Sequence, residues 1–274
     1  MSLRLWLLGE GIAGSPSPAM QDAALAAAGI EGGYELRECT RDGLAAALAA
    51  LRRGEAQGAN VTTPHKHAAA SACDRLEGDA RRLGAVNTLI VEGGDLVGVN
   101  TDARGLELAL AEEGIAPLAG PAVVLGAGGA AAAAVLGLLR VGSASVTIAA
   151  RRSDRAAALA ARFDARVGAL ALDDPGIAGR LGAAALVLNA TPAGLPALPV
   201  DPDRLGAAAV VVDLRYRPRP VDLVAATRAS GRQAVDGTSM LLHQGMLAFE
   251  RWTQRRPPLE AARRALLAAL GDPG

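Results

Sequence analysis

This chain of 274 residues has few aromatic residues and few cysteines, and it carries no excess of positive or negative charge. Phe, Trp and Tyr together make up 2% of it, so a core must be built from many small contacts among alanine, leucine and valine. Basic and acidic residues balance at 28 each, which argues against a surface made for nucleic acid. The cysteines, Cys39 and Cys73, lack the spacing of a metal site, which predicts free thiols and no metal.

Long hydrophobic runs are also missing, although apolar residues account for 51% of the chain. No run reaches the length that spans a bilayer, and we expect no signal peptide. The sequence therefore predicts a soluble, cytoplasmic protein that binds neither a membrane nor nucleic acid. Its length suits one large domain or two of ordinary size.

Strand and helix patterns alternate along the chain, which predicts an α/β protein with mostly parallel sheets. Strands are predicted at 3–8, 34–38, 57–62, 122–125, 145–149, 184–189, 208–214 and 233–235. Helices are predicted from Ser17-Pro18 to Gly29, with Ser17 as N-cap and Pro18 in the first helical position, and at 42–53, 130–141, 239–252 and 259–269.

Residues 87–100 have the pattern of a β-hairpin with Gly93-Gly94 at its turn. In that register, facing residues have numbers that sum to 187, so Asn87 lies opposite Asn100. Because side chains alternate between the faces of a strand, Asp102 is expected on the same side as Asn100 if the extended chain continues that far. With Lys66 from the segment Asn-Val-Thr-Thr-Pro-His-Lys, these groups could hold and protonate a small polyol.

A glycine-rich loop separates the predicted strand 122–125 from an alanine-rich helix. In this context Gly126 permits a tight turn, Gly128 lets the backbone approach a pyrophosphate, and Ala131 replaces a third glycine. The free N–H groups of the helix would bind the phosphates. The alternative is an ordinary glycine-rich turn in an alanine-rich chain. The loop positions predicted to bind a dinucleotide are Gly126, Gly128, Gly129 and Ala130.

Arginine, and not a carboxylate, follows the next predicted strand. Arg151 and Arg152 stand at its end and Arg155 shortly after, with no acidic residue before Asp154. Guanidinium groups match the 2′-phosphate of NADP better than the free hydroxyl of NAD. We therefore predict NADP, the alternative being a solvated basic start of a helix.

Motifs spread over nearly the whole chain resemble those of the shikimate dehydrogenase family. They are Ser15-Pro16-Ser17-Pro18, Asn60 to Lys66, Gly84 to Thr88, Asn100-Thr101-Asp102, Asn189 to Pro192, Asp213 to Tyr216, and the stretch Asp236-Gly237 to Gln244-Gly245. The resemblance implies an NADP-dependent oxidoreductase that reversibly reduces 3-dehydroshikimate to shikimate in chorismate and aromatic amino-acid biosynthesis, as a monomer or a homodimer. It also implies a substrate domain, residues 1–102 with the C-terminal helices 239–274, a Rossmann-type NADP domain, residues 103–238, and a cleft between them.

The resemblance assigns roles to single residues. Lys66 and Asp102 match the catalytic pair, and we expect them to meet across the cleft. Positions that match substrate contacts are Ser15, Ser17, Thr62, Asn87, Tyr216 and Gln244. Positions that match cofactor contacts, beyond the glycine loop and the arginines, are Thr191, Gly237 and Met240.

Simpler interpretations stay open for several of these residues. Ser17 and Asp102 could be helix caps, Lys66 a solvated side chain, and Tyr216 and Gln244 ordinary core or surface groups. We interpret His65 and His67 as incidental, because residues two apart diverge on a helix.

The chain departs from the family pattern at five places: Gly14, Ala132, Ala150, Arg152 and Val221-Asp222. The closest functional alternatives are a quinate or an aminoshikimate dehydrogenase and, in another class, an NADP-binding regulator without catalytic activity.

Overall fold

A computed structural model of the chain describes residues 2–116 and 118–271. The last three residues of the predicted C-terminal segment lie outside these ranges. The elements, in chain order, are β1 (Leu3–Gly9), α1 (Ser17–Ala27), β2 (Gly32–Glu38), α2 (Leu44–Arg52), β3 (Gly58–Val61), α3 (Lys66–Ala72), β4 (Arg75–Leu76), α4 (Asp79–Leu83), β5 (Thr88–Glu92), β6 (Asp95–Val99), α5 (Asp102–Glu112), β7 (Pro121–Leu125), α6 (Gly129–Arg140), β8 (Ser145–Ala150), α7 (Ser153–Ala160), β9 (Val167–Ala171), α8 (Ile177–Gly182), β10 (Leu186–Asn189), a 3₁₀ turn (Pro202–Arg204), β11 (Val210–Asp213), α9 (Asp222–Ala229), β12 (Ala234–Asp236), α10 (Thr238–Thr253) and α11 (Leu259–Ala269).

These elements form two compact units, and the predicted α/β class is confirmed. The first unit comprises Met1–Gly105 and Leu242–Gly274, and the second comprises Leu106–Leu241. The chain therefore leaves the first unit within α5 and returns to it within α10. Among the described residues, no helix has both the length and the apolar character needed to cross a bilayer.

The first unit is built on a six-stranded mixed sheet with the order β2-β1-β3-β5-β6-β4. β1 lies parallel to both of its neighbours, whereas β5 runs antiparallel to β3 and to β6. Helix α2 covers one face, where Leu44, Leu48 and Leu51 are buried at the spacing of a helix stripe. The other face carries Leu5 and Tyr34. The sheet thus has an apolar core on both sides.

The second unit is built on a six-stranded parallel sheet with the order β12-β11-β10-β7-β8-β9. Counted from β7, the strands follow the order 3-2-1-4-5-6 of dinucleotide-binding folds. β7 and β10 lie side by side at the point where this order reverses. Both strands are almost entirely buried, as expected where helices cover both faces of a parallel sheet. Ligands bind such sheets beyond the carboxyl ends of these two strands.

The start of α1 differs from the prediction. Pro16, and not Ser17, is the N-cap, and Pro18 is therefore not in the first helical position. Pro16 adopts helical angles, with φ −81° and ψ −2°, so that its carbonyl already accepts a hydrogen bond from the Met20 N–H. Ser17 caps nothing, and its backbone N–H donates to Ser15 Oγ over 3.3 Å.

Candidate active site

Lys66 and Asp102 each stand at the start of a helix of the first unit, α3 and α5 respectively. The Lys66 ammonium donates to Asp102 Oδ2 over 2.5 Å. The lysine side chain is 15% exposed and that of the aspartate 6%, so the pair is largely removed from water yet reachable from one side. The pair forms within a single unit. The expectation that the two groups meet across a gap between domains was therefore wrong.

Backbone pairing explains why two residues so far apart in sequence come together. The Val86 N–H donates to the Lys66 carbonyl oxygen, which ties the start of α3 to the chain that enters β5. In the β5–β6 hairpin, Thr88 faces Val99 and Glu92 faces Asp95, so the predicted register is confirmed. At the open end of the hairpin, the segment that precedes β5 therefore lies beside the segment that links β6 to α5.

Polar side chains at this open end are bonded to one another. Asn87 Nδ2 lies 2.7 Å from Asp102 Oδ1, 2.9 Å from Thr101 Oγ1 and 3.2 Å from Gln244 Oε1. Asn100 accepts a hydrogen bond from the Asp102 N–H over 3.0 Å, which caps the start of α5. The Asp102 carboxylate is thus left to bind Lys66 and Asn87. Asp102 thus contacts both Asn87 and Asn100, although α5 begins at Asp102 and the extended strand does not continue to it.

Gln244 reaches this group from α10. Its backbone oxygen accepts from the Thr101 hydroxyl over 2.9 Å, which fixes α10 against the start of α5. The two helices can approach because residue 105 is glycine, since a Cβ there would lie 2.7 Å from Gln244 Cβ. Gln244 is therefore a bonded member of the site.

The serine pair lies on the segment between β1 and α1. Ser15 Oγ donates to Ser17 Oγ over 3.2 Å, and Ser17 is 7% exposed. Thr62 follows β3, where its N–H donates to the Leu8 carbonyl and its methyl group lies over Gly9. Within residues 2–116 and 118–271, no hydrogen bond links these three side chains to Lys66, so their shared role stays a prediction.

The two histidines beside Lys66 bind backbone carbonyl groups. His65 is buried, and its Nε2 donates to the Cys39 oxygen over 2.8 Å, whereas His67 Nδ1 donates to the Gly84 oxygen over 2.8 Å. In the part of the chain that the structure describes, no group of three or more His, Cys, Asp or Glu could hold a metal ion. Both histidines therefore anchor the start of α3.

The glycine loop of the second unit lies between β7 and α6, at the reversal of strand order. Gly126 has φ +112°, and a Cβ there would lie 2.9 Å from the Thr191 methyl group, so any other residue would be strained. Gly128 is the N-cap of α6, with φ −95°, and no heavy atom lies within 4 Å of where its Cβ would be. Open space thus adjoins the free N–H groups of Gly129 and Ala130 at the helix start, which suits a pyrophosphate.

Two of the remaining predicted cofactor positions lie on loops that follow strands of this sheet, and the third lies on a helix. Thr191, which follows β10, donates through both its N–H and its hydroxyl to Asn189 Oδ1. Gly237, between β12 and α10, could not carry a side chain, because a Cβ would lie 2.1 Å from the Leu214 carbonyl oxygen. Met240 is half-buried on α10.

Tyr216 follows β11 in the second unit. Burial raises the pKa of its phenol, and the nearby charge of Arg217 opposes that shift. The phenol is therefore neutral at physiological pH and can both donate and accept a hydrogen bond, as recognition of a hydroxyl group requires.

The three arginines differ in what they bind. All three are exposed at the end of β8 and the start of α7. Arg152 pairs with Asp154 over 2.8 Å, whereas no hydrogen bond or ion pair from the described residues engages the guanidinium group of Arg151 or of Arg155. Two of the three guanidinium groups are thus left for an anionic ligand.

A second polar cluster, which was not predicted, lies at the ends of β10 and β11. Asn189 donates to the fully buried Asp213, and Arg215 binds the same carboxylate over 2.6 Å. Arg215 also binds Asp222, one of the departures from the family pattern, over 2.5 Å. This cluster fixes the loops that carry Thr191 and Tyr216. Its only signal in the sequence was an acid and an arginine two residues apart.

Models of known protein families match segments of both units. Residues 7–89 match a model of the shikimate dehydrogenase substrate binding domain, residues 109–230 one of shikimate / quinate 5-dehydrogenase, and residues 237–267 one of the shikimate 5′-dehydrogenase C-terminal domain. A shikimate dehydrogenase (NADP⁺) of Symbiobacterium thermophilum is 42% identical over 98% of this chain and 95% of its own. The chain therefore belongs to the shikimate dehydrogenase family.

Solved structures of the family share the fold. Shikimate 5-dehydrogenase from Thermus thermophilus, in complex with NADP(H) and shikimate, superposes with a TM-score of 0.88 at 38% identity, over 98% of this chain and 100% of that one. Quinate dehydrogenase from Corynebacterium glutamicum, in complex with NAD, has the same TM-score at 33% identity, over 97% and 99% of the two chains. Likeness of fold therefore does not separate shikimate from quinate.

Proposed function

We propose that this protein is a shikimate dehydrogenase, which reversibly reduces 3-dehydroshikimate to shikimate with NADPH, a step towards chorismate and the aromatic amino acids. The observation that carries the proposal is the contact of 2.5 Å between Lys66 and Asp102, held by Asn87 at the end of the hairpin. Support comes from the full-length relative named for the NADP⁺ activity and from the family structure that holds both ligands.

The first unit is the proposed substrate domain. The hydroxyl groups of Ser15 and Ser17 are suited to the substrate carboxylate, because both can donate hydrogen bonds to an anion. Thr62, Asn87 and Gln244 offer neutral donors and acceptors for the substrate hydroxyl groups. Tyr216, a neutral phenol on the second unit, is proposed as a further substrate contact.

The second unit is the proposed NADP domain. The N-terminus of α6, with open space at Gly128, would hold the pyrophosphate, and Arg151 and Arg155 would bind the 2′-phosphate. Arg152, which Asp154 engages, would contribute less. Thr191 and Gly237, on loops, and Met240, on α10, would lie close to the cofactor. NADPH supplies the hydride when it is bound.

Lys66 and Asp102 would carry out the proton chemistry. As the ketone is reduced, negative charge develops on its oxygen, and the Lys66 ammonium would stabilise that charge and then donate a proton. Asp102 holds the ammonium in place through a short hydrogen bond. In the oxidation of shikimate, Lys66 would take the proton back from the hydroxyl group.

A test of this function compares four rates, followed at the absorbance band of reduced nicotinamide. Shikimate and quinate are each offered to the purified protein with NADP⁺ and with NAD⁺. We expect shikimate with NADP⁺ to give the highest kcat/KM. If quinate with NAD⁺ were fastest, the protein would be a quinate dehydrogenase, and if no pair reacted while NADP⁺ still bound, it would be a regulator.

The state of the two cysteines bears on where in the cell the protein acts. Burial raises the pKa of both thiols, that of Cys73 to about 11, and both cysteines are free, as is usual in the reducing cytoplasm. We therefore place the enzyme there, as a monomer or a homodimer.

A further inference from the structure

A chain of buried hydrogen bonds crosses the sheet of the first unit and ends at Asp102. The Tyr34 hydroxyl on β2 donates to Asn60 Oδ1 on β3 over 2.8 Å. Asn60 Nδ2 donates to Thr88 Oγ1 on β5 over 3.0 Å, and Thr88 Oγ1 donates to Asn87 Oδ1 over 3.0 Å. Asn87 Nδ2 then donates to Asp102. Each residue except the last donates one hydrogen bond to the next, and all five residues are at most 7% exposed.

Backbone groups fix the direction of every link. The Thr101 N–H can only donate, and it donates to Asn87 Oδ1 over 2.9 Å, so the Asn87 amide nitrogen must point to Asp102. The Asn87 carbonyl can only accept, and it accepts from Asn60 Nδ2 over 3.0 Å. Thr88 Oγ1 therefore accepts a hydrogen bond from Asn60 and donates one to Asn87. The chain cannot run the other way without two unsatisfied buried groups.

The chain of hydrogen bonds keeps the Asp102 carboxylate in a fixed orientation. The amide of Asn87 shares two protons among three acceptors, the carboxylate of Asp102 and the oxygens of Thr101 and Gln244. An amide with that choice needs a restraint at its oxygen end to stay aimed at the carboxylate. The hydroxyl of Thr88, 0% exposed and next in sequence to Asn87, gives that restraint together with the Thr101 N–H.

We propose that Thr88 is a positioning residue of the reaction: its buried hydroxyl orients the Asn87 amide, which in turn holds Asp102 for its contact with Lys66. The proposal rests on the proposed function, because Lys66 and Asp102 are taken as the groups that handle the proton. Asn60 and Tyr34 extend the same chain and keep the Thr88 hydroxyl aligned.

Thr88→Val tests this proposal, because valine keeps the shape and removes only the hydroxyl. Asn60 Nδ2 would still donate to the Asn87 carbonyl, and Asn87 Oδ1 would still accept from Thr101, so no buried group loses its last partner. The matched control is Thr227→Val in the second unit. Thr227 is also 0% exposed, and its hydroxyl donates to the Leu223 carbonyl over 2.7 Å.

For Thr88→Val, we expect kcat for shikimate oxidation to fall roughly tenfold, with the Kd for NADP⁺ unchanged. Thr88→Ser, which restores the hydroxyl, should return kcat to within about twofold of the parent enzyme. Thr227→Val should lower the Tm as much as Thr88→Val does and leave kcat unchanged. A kcat for Thr88→Val near that of the parent enzyme, or no rescue by serine, would overturn the proposal.

If the parent enzyme does not oxidise shikimate, the proposed function fails separately. The positioning role is then decided by nuclear magnetic resonance of the Asn87 side-chain amide, assigned by its loss in Asn87→Ser. A large shift of that amide signal in Thr88→Val, with none in Thr227→Val, supports the role. An unchanged signal overturns it.

Discussion

The two proposed binding regions are built in opposite ways. In the first unit, side chains on the hairpin, α3, α5 and α10 already bind one another, with Lys66, Asp102 and Asn87 at the centre. In the second unit, open space adjoins Gly128, and the guanidinium of Arg151 has no partner among the described residues. One region is filled with mutual hydrogen bonds, whereas the other leaves donors and room for a ligand.

The difference predicts how each region responds to substitution. Where side chains hold one another, removing a hydrogen-bonding atom loosens the remaining contacts and moves the reacting groups. Where the backbone itself is the receptor, adding an atom blocks the ligand without disturbing the fold. Substitutions that remove a polar group in the first unit should therefore lower kcat. Substitutions that enlarge a side chain in the second unit should lower the affinity for the cofactor.

Lys66→Met should have the largest effect, because it removes the ammonium and keeps most of the side-chain length. We expect kcat to fall by about 10²–10⁴, the usual contribution of a positioned acid or base. The Kd for NADP⁺, measured by titration, should stay close to that of the parent enzyme. Loss of kcat and of NADP⁺ binding together would mean that Lys66 is structural, and the contrast between the regions would then disappear.

Gly128→Ala should raise the Kd for NADP⁺ by about tenfold or more, because the new methyl group would enter the space where a pyrophosphate is proposed to lie. With φ −95° and no neighbour within 4 Å, an alanine fits the fold, so the Tm should not change. Gly126→Ala is the counterpart. Its φ of +112° and its contact with Thr191 predict a lower Tm. If Gly128→Ala bound NADP⁺ normally, the loop would not be the receptor.

A smaller effect should separate the arginines. We expect Arg151→Ala to raise the Kd for NADP⁺ roughly tenfold and to leave that for NAD⁺ unchanged, since only NADP⁺ carries the 2′-phosphate. Arg152→Ala should change either Kd by about twofold or less, because Asp154 already engages that guanidinium. Equal losses in both variants would show that the pair with Asp154 opens to receive the ligand.

Local patterns predicted the parts of the molecule that depend on local rules. The turn at Gly93-Gly94 set the hairpin register, because a two-residue turn leaves one pairing. The contact of Asp102 with Asn87 depends also on the start of α5 at Asp102, which the strand pattern did not predict. The glycine loop between β7 and α6 was also predicted from a local pattern, namely glycines between a strand and a helix. The alternation of strands and helices predicted the α/β class.

Features that depend on distant neighbours could not be read from the pattern. Strand β9 lies at the edge of its sheet and is partly exposed, and its apolar residues do not alternate regularly with polar ones, so it was not predicted. The start of α1 was misplaced because Pro16 takes up helical angles, which sequence preference alone does not require. The link from Tyr34 to Asn60 joins strands that are not neighbours, and only the folded sheet brings them within reach.

The most direct test is nuclear magnetic resonance of the Asn87 side-chain amide in the ligand-free protein. It shows whether the hydrogen bonds of the first region form before substrate binds. In the protein without ligands, we expect two well-separated amide proton signals that exchange slowly with water and move little when shikimate is added. A rapidly exchanging pair at the positions of a solvated asparagine, which separates only after shikimate binds, would contradict the account.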